Sequence, residues 1–205
     1  MEGTWLLGKV TGRDFKKFSA QLRYASKIGV EVGVVVADES LYRSGVVSRV
    51  DSLLRNVSVF NGLYPRQGVS ELHFNAEPWA EPDWAVGSEQ YSVYWSRALS
   101  YVRDSSSLRL SVAVPDWLHR SDVRMWDAAN LLDYVVVMAY KDTFERTQFH
   151  YQLAAEAASA EVVLALNYVA VESATVLSPV HVQKLQALHH VLVVNDLDHL
   201  PVFAP

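Results

Sequence analysis

The feature that most constrains this chain is a rhythm of short apolar runs separated by longer amphipathic stretches. The runs are Trp5 to Val10, Val30 to Ala37, Leu72 to Ala76, Leu108 to Val114, Tyr134 to Tyr140, Val162 to Tyr168 and Val191 to Val194. They are rich in Val and Leu and show little apolar–polar alternation, the pattern of parallel strands buried on both faces. Between them, Phe15 to Ser26, Val46 to Leu54, Ser88 to Val102, Val123 to Leu132, Tyr151 to Ala160 and Pro179 to His189 read as helices. Several open with cap-like residues, such as Ser178 before Pro179 and Ser121-Asp122 before Val123. Strand–helix repetition at this spacing predicts an α/β protein.

Two architectures fit the rhythm: a (β/α)8 TIM-like barrel and an open doubly wound sheet. No Gly-rich phosphate loop follows any of the runs, which argues against a nucleotide-binding open sheet. A full barrel wants eight strands and about 250 residues, or at least about 200. This chain offers seven runs in 205 residues. The expectation is therefore a single domain over residues 1–205, an incomplete (β/α) barrel. The sequence starts abruptly, so the missing strand–helix unit is taken as the first, the runs become strands two to eight, and Leu72 to Glu77 is the fourth. An incomplete barrel leaves strand edges that a terminal segment or a second copy, in a homodimer, would cover.

Bulk properties remove several function classes. The net charge is −5 and no basic run stands out, so nucleic acid is not an expected partner. There is no cysteine, which excludes disulfides, thiolate metal sites and a cysteine nucleophile. No apolar run reaches the roughly 18 residues of a membrane span, so no membrane partner is expected. The opening Met1-Glu-Gly-Thr-Trp lacks the charged-then-apolar pattern of a signal peptide, leaving a cytoplasmic protein or a secreted one trimmed of its leader. The six Trp and ten Tyr serve mostly as core, although flat rings also stack on the apolar faces of sugars.

In a barrel the active site lies at the C-terminal ends of the strands. The run ends carry Asp38-Glu39, Asn75-Ala-Glu77, Asp116-Trp117, Tyr140-Lys-Asp142, Asn167-Tyr168 and Asn195-Asp196. Loop polarity and helix capping explain Asp38, Asp122 or Asp196 well. They explain the stretch ELHFNAEPWAEPDW, Glu71 to Trp84, poorly. His73, Asn75 and Glu77 stand two apart and share one face of a strand, while Leu72, Phe74 and Ala76 take the other. Each polar group buried unpaired in a central strand costs a few kcal/mol, so these must satisfy one another, a ligand or water. Pro78 ends the strand, and Trp79 and Trp84 follow.

Three of these stretches resemble one family. ELHFNAEP is similar to the fourth-strand signature of glycoside hydrolase family 18, the chitinase-like barrels, whose acids alternate as Asp-x-Asp-x-Glu. LRLSVAVP, Leu108 to Pro115, resembles the fifth strand of that family. YVVVMAYKD, Tyr134 to Asp142, resembles the sixth, which ends Met-x-Tyr-Asp. The resemblance covers residues 70 to 145, about a third of the chain. It implies that Glu77 is the general acid, that the substrate's N-acetyl carbonyl attacks the anomeric carbon, and that Asn75 orients the acetamido group. It further implies that Tyr140 hydrogen-bonds that group and that Asp142 contacts the sugar. Substrate-assisted cleavage of this kind departs from the two-carboxylate scheme. His73, Trp79, Asp116, Trp117, Asn167 and Tyr168 are the remaining candidates for sugar contact. No cofactor and no metal is implied.

The sequence departs from that pattern where His73 and Asn75 replace the middle acids. Asn-x-Glu also resembles the family 85 endo-N-acetylglucosaminidases, in which the Asn polarises the acetamide. The last run, VLVVND, lacks the Trp that floors the chitinase sugar site. Three functions stay open: a glycosidase acting on an N-acetylhexosamine-containing or related polysaccharide, an inactive carbohydrate-binding barrel, and a structural or partner subunit. A two-carboxylate site pairing Glu77 with Asp142 or Glu172 is a further alternative. So is a metal site on His73, Glu77 and His189 or His190. A Ser-His-Asp hydrolase is disfavoured, since there is no Gly-x-Ser-x-Gly elbow.

Overall fold

The computed structural model describes residues 33–65, 68–118, 130–138, 144–158, 160–167 and 191–194, together with residues 20, 23, 24 and 27. The run Trp5 to Val10, the stretch Pro179 to His189 and most of Val123 to Leu132 lie outside the described residues, as do Tyr140, Asp142 and Tyr168. The described elements are β1 (Gly33–Val36), α1 (Val46–Leu63), β2 (Glu71–Phe74), α2 (Trp84–Ser105), β3 (Arg109–Pro115), β4 (Tyr134–Met138), α3 (Phe144–Ala157), β5 (Glu161–Asn167) and β6 (Val191–Val194). Short 3-10 turns occupy Glu39–Tyr42 and Pro78–Ala80. Every run from Val30 onward thus becomes a strand; α1 and α2 extend beyond their expected bounds, whereas α3 both starts earlier, at Phe144, and ends earlier, at Ala157, than the expected Tyr151 to Ala160. None of the described helices is long and apolar enough to cross a membrane. The chain divides into two compact units, Met1–Val112 with Val123–Asp133, and Ala113–Asp122 with Tyr134–Pro205.

In the first unit β1 and β2 run parallel, with Val34 opposite Leu72 and Val36 opposite Phe74. β2 and β3 are parallel too, with Leu72 opposite Leu110 and His73 opposite Ser111. Both crossovers are helical, as parallel pairing demands. Helix α1 starts after Gly45, whose φ of 81° is the left-handed conformation that a residue with a Cβ avoids. Its buried residues Val46, Val50, Leu53, Val57 and Phe60 repeat at helical spacing and form one apolar stripe. Asn61 then ties down the entry to β2: its Nδ2 donates to the Val69 carbonyl at 2.9 Å and its Oδ1 accepts from the Val69 amide at 2.7 Å. Helix α2 buries Tyr91, Trp95, Ala98, Leu99 and Val102. Trp95 meets Phe74 of β2 edge-on at 6.1 Å between ring centroids. The Leu72–Phe74 face of β2 is therefore the helix-facing side.

Behind α2, Arg103 donates to the Leu131 carbonyl and to Asp133, whose Oδ2 also accepts from the Leu110 amide at 2.7 Å. Burial alone would raise the Asp133 carboxyl, but the Leu110 amide and the Arg103 guanidinium outweigh it and hold the group below its ordinary range.

In the second unit β4, β5 and β6 are parallel neighbours. Val135 lies opposite Val162, Val137 opposite Leu164, and Leu164 opposite Val191. Helix α3 links β4 to β5 and buries Ala154 and His150.

Strand β2 is shorter than the sequence suggests. Regular pairing stops at Phe74, so Asn75 to Glu77 are not within the strand. The cause is its neighbour: β1 ends at Val36, whose carbonyl takes one last bond from the Asn75 amide at 3.0 Å, before the chain turns at Asp38. The alternation of faces nevertheless continues. Leu72, Phe74, Ala76 and Pro78 are buried, while Glu71, His73, Asn75 and Glu77 are partly open.

Candidate functional site

Two segments of the first unit end side by side and form a cleft of about 490 Å³. Its walls are Ala37, Glu39 and Tyr42 after β1, and Asn75 to Glu77 with Ala80 to Pro82 after β2. The wall after β1 is held by Asp38, whose side chain accepts from the Ser40 amide at 2.9 Å and opens the 3-10 turn. This is the capping role expected for Asp38. The wall after β2 is held by Pro78, which starts the second 3-10 turn, and by backbone bonds from Ala80 to Glu77 and from Glu81 to Pro78.

Asn75 and Glu77 both line this cleft. The Asn75 Oδ1 is buried and has no hydrogen-bond partner among the described residues. A buried amide oxygen left empty costs about 1–3 kcal/mol, so it is an acceptor waiting for a donor. Glu77 precedes the 3-10 turn but makes no capping bond with its side chain, and its carboxylate is left to the cleft.

His73 lies one pleat deeper on the same face and does not line the cleft. Its Nδ1 is 2.8 Å from Ser111 Oγ, and Ser111 donates to Glu71 Oε1 at 2.7 Å. Ser111 has a single proton and gives it to Glu71, so its oxygen accepts from His73 Nδ1–H. Burial lowers the pKa of His73, and the Glu71 charge offsets this only in part, so the ring is neutral in the folded protein near pH 7. His73, Ser111 and Glu71 thus satisfy one another.

Sequence reasoning missed Tyr42 and Glu81. The Tyr42 hydroxyl donates to Glu81 Oε1 at 2.7 Å, and the Arg43 guanidinium donates to the same oxygen at 2.8 Å. Tyr42 is buried, and burial first, then the Glu81 carboxylate, pushes its phenol far above the ordinary range. Arg43 is raised by its bond to Glu81. Tyr91 packs edge-on against Tyr42, stacks on Trp84, and donates to Asp83 at 2.5 Å. One signal was present in the sequence: Glu77-Pro-Trp-Ala-Glu81-Pro repeats Glu-Pro four residues on.

The other candidates are placed as follows. Trp79 sits in the 3-10 turn, partly exposed and outside the cleft lining. In the second unit Trp117 is exposed, and Asp116 Oδ2 lies 3.6 Å from the buried His150 Nε2. Asn167 closes β5. Among the described residues no group of three or more His, Asp or Glu is placed to hold a metal ion.

No family model matches the sequence, and no curated protein matches it. Solved structures do. The chain is similar to a family 18 glycoside hydrolase, a chitinase from Pseudoalteromonas aurantia, with a TM-score of 0.60 and 12% identity over 91% of this chain and 76% of that one. It is also similar to catalytic domain 2 of a Group II chitinase from Ostrinia furnacalis, a mutant in complex with a chitooligosaccharide. That alignment has a TM-score of 0.51 and 16% identity over 80% of this chain, and it spans only 51% of the other. At these identities the likeness establishes the fold. The parallel strands alternating with helices match the fold of these solved structures and are consistent with an incomplete (β/α) barrel.

Proposed function

We propose that the cleft at the ends of β1 and β2 binds an N-acetylhexosamine-containing polysaccharide and cleaves it with Glu77 as the general acid. The observation that carries this reading is the buried, unpartnered Oδ1 of Asn75 in the same cleft as Glu77. An acetamido N–H is a donor of the right kind for that oxygen. Accepting it would hold the N-acetyl group so that its carbonyl oxygen reaches the anomeric carbon. Glu77 gives its proton to the leaving glycosidic oxygen as the bond to the anomeric carbon breaks and the bond to the carbonyl oxygen forms. Water then opens the cyclic cation and returns a proton to Glu77. The acetamido contact of Tyr140, the sugar contact of Asp142 and the sugar contacts of Trp79, Asp116, Trp117, Asn167 and Tyr168 are roles that only the family resemblance implies, and Tyr140, Asp142 and Tyr168 lie outside the described residues.

A carbohydrate-binding barrel without turnover is the second reading, and it is favoured by one observation: the residue two before Glu77 is an amide rather than an acid. Incubation with N-acetylhexosamine oligomers, with chromatographic detection of products, separates the two. Under the enzyme reading, Glu77→Gln lowers kcat by about 10²–10⁴-fold while leaving oligomer affinity nearly unchanged. Binding with no product from the unaltered chain supports the binding barrel. Turnover that survives in Glu77→Gln removes Glu77 from the role of acid.

A further inference from the structure

The proposed reaction develops positive charge at the anomeric carbon and in the ring formed by the N-acetyl group. A carboxylate beside that charge stabilises it; the Asn75 amide carries no net charge to do so. Three acidic side chains line the cleft: Glu39, Glu77 and Glu81. Glu77 is committed to proton donation. Glu39 is 79% exposed, so water screens its charge. Glu81 is only 17% exposed and is held in place by two donors.

Resting on the proposed function, we infer that Glu81 supplies the negative charge that stabilises the cationic transition state in this cleft, in place of an acid at position 75. Both donors, the Tyr42 hydroxyl and the Arg43 guanidinium, converge on Oε1. Neither donor takes Oε2, and Glu81 lines the cleft. Arg43 does not line the cleft and is 47% exposed, so its own charge is screened while the anion is the partner presented to the ligand. The buried Tyr42 fixes the carboxylate without adding charge. A preorganised anion in a partly desolvated site acts on developing charge far more strongly than one in water. The raised phenol of Tyr42 agrees with this geometry, since a phenolate would repel Glu81.

The test is a cycle of four proteins: the unaltered chain, Glu81→Gln, Asn75→Asp and the double variant, each assayed for hydrolysis and for binding of N-acetylhexosamine oligomers. Gln can still accept from Tyr42 and Arg43, so the wall of the cleft is kept. Glu81→Gln is expected to lower kcat by about 10²–10³-fold, with oligomer affinity within about threefold of the unaltered chain. Adding Asn75→Asp to Glu81→Gln returns a charge to the cleft and is expected to recover at least about tenfold of that loss. Tyr42→Phe removes a tether but no charge, and costs only about threefold to tenfold in kcat. Full activity in Glu81→Gln, in a protein that Glu77→Gln inactivates, overturns the inference and spares the proposed function. A double variant no faster than Glu81→Gln also overturns it, since Glu81 would then act only as an anchor for Tyr42 and Arg43. If the unaltered chain cleaves no oligomer, the proposed function and this inference fall together.

Discussion

The polar face of β2 and its extension divides into two halves that the sequence makes look alike. In the lower half, Glu71 and His73 are closed by Ser111 of β3, and each hydrogen bond has its partner. In the upper half, Asn75 and Glu77 open into a cleft, and a buried amide oxygen stands unmet. The residues have the same spacing, the same face and comparable polarity. What separates them is saturation. A polar column inside a barrel is support where it satisfies itself and a candidate site where it does not.

Four substitutions or conditions would break or sharpen this contrast. The largest effect belongs to the opposite face. Phe74 is fully buried against Trp95, and Phe74→Ala is expected to destabilise the protein by about 3–5 kcal/mol in urea or thermal unfolding. A loss under 1 kcal/mol would mean that the helix-facing side does not carry the stability assigned to it. Next comes the lower half. Ser111 is fully buried, and Ser111→Ala removes the acceptor of His73 and one donor to Glu71, at a cost of about 1–3 kcal/mol.

A smaller effect is a dependence on pH. The folded-state pKa of His73 lies below the ordinary imidazole value of 6.5. Above that value the ring is neutral in both states and contributes no slope. Below it the unfolded chain takes up the proton first, so stability falls as the pH drops from about 6.5 to the folded pKa and then levels off for this group. His73→Gln should flatten unfolding curves in that window. Asp133 has the opposite kind of group but the same direction of change: its contribution is present above the ordinary carboxylate value of 3.8 and is lost as the pH falls through its lowered folded pKa. The smallest effect belongs to the upper half. Asn75 Oδ1 makes no bond, so Asn75→Ala should change stability by less than about 0.5 kcal/mol, or raise it. A loss as large as that of Ser111→Ala would show that Asn75 is structural after all.

The strand–helix order was legible because a parallel strand buried on both faces leaves a dense Val and Leu run. Val30 to Ala37, Leu108 to Val114 and Val162 to Tyr168 each contain the strand that forms there, allowing a residue at the ends. The end of β2 was not legible within Leu72 to Ala76, since it depends on where its neighbour β1 stops pairing. Glu77 could be read from its spacing to Asn75. Glu81 and Tyr42 could not, because the bond that joins them links residues 39 apart and forms only when two 3-10 turns face each other. Ser111 left a fainter trace, a hydroxyl within the apolar run RLSVAVP, whose partner His73 becomes visible only through strand register.

The most direct test of the central claim watches Asn75 itself. In an NMR titration with an N-acetylhexosamine oligomer, the side-chain amide signals of Asn75 are predicted to shift progressively and saturably, while the His73 ring signals, already bonded to Ser111, stay in place. Saturable binding with the Asn75 amide unmoved would contradict the account, because the unmet acceptor in the cleft would not be what the ligand meets.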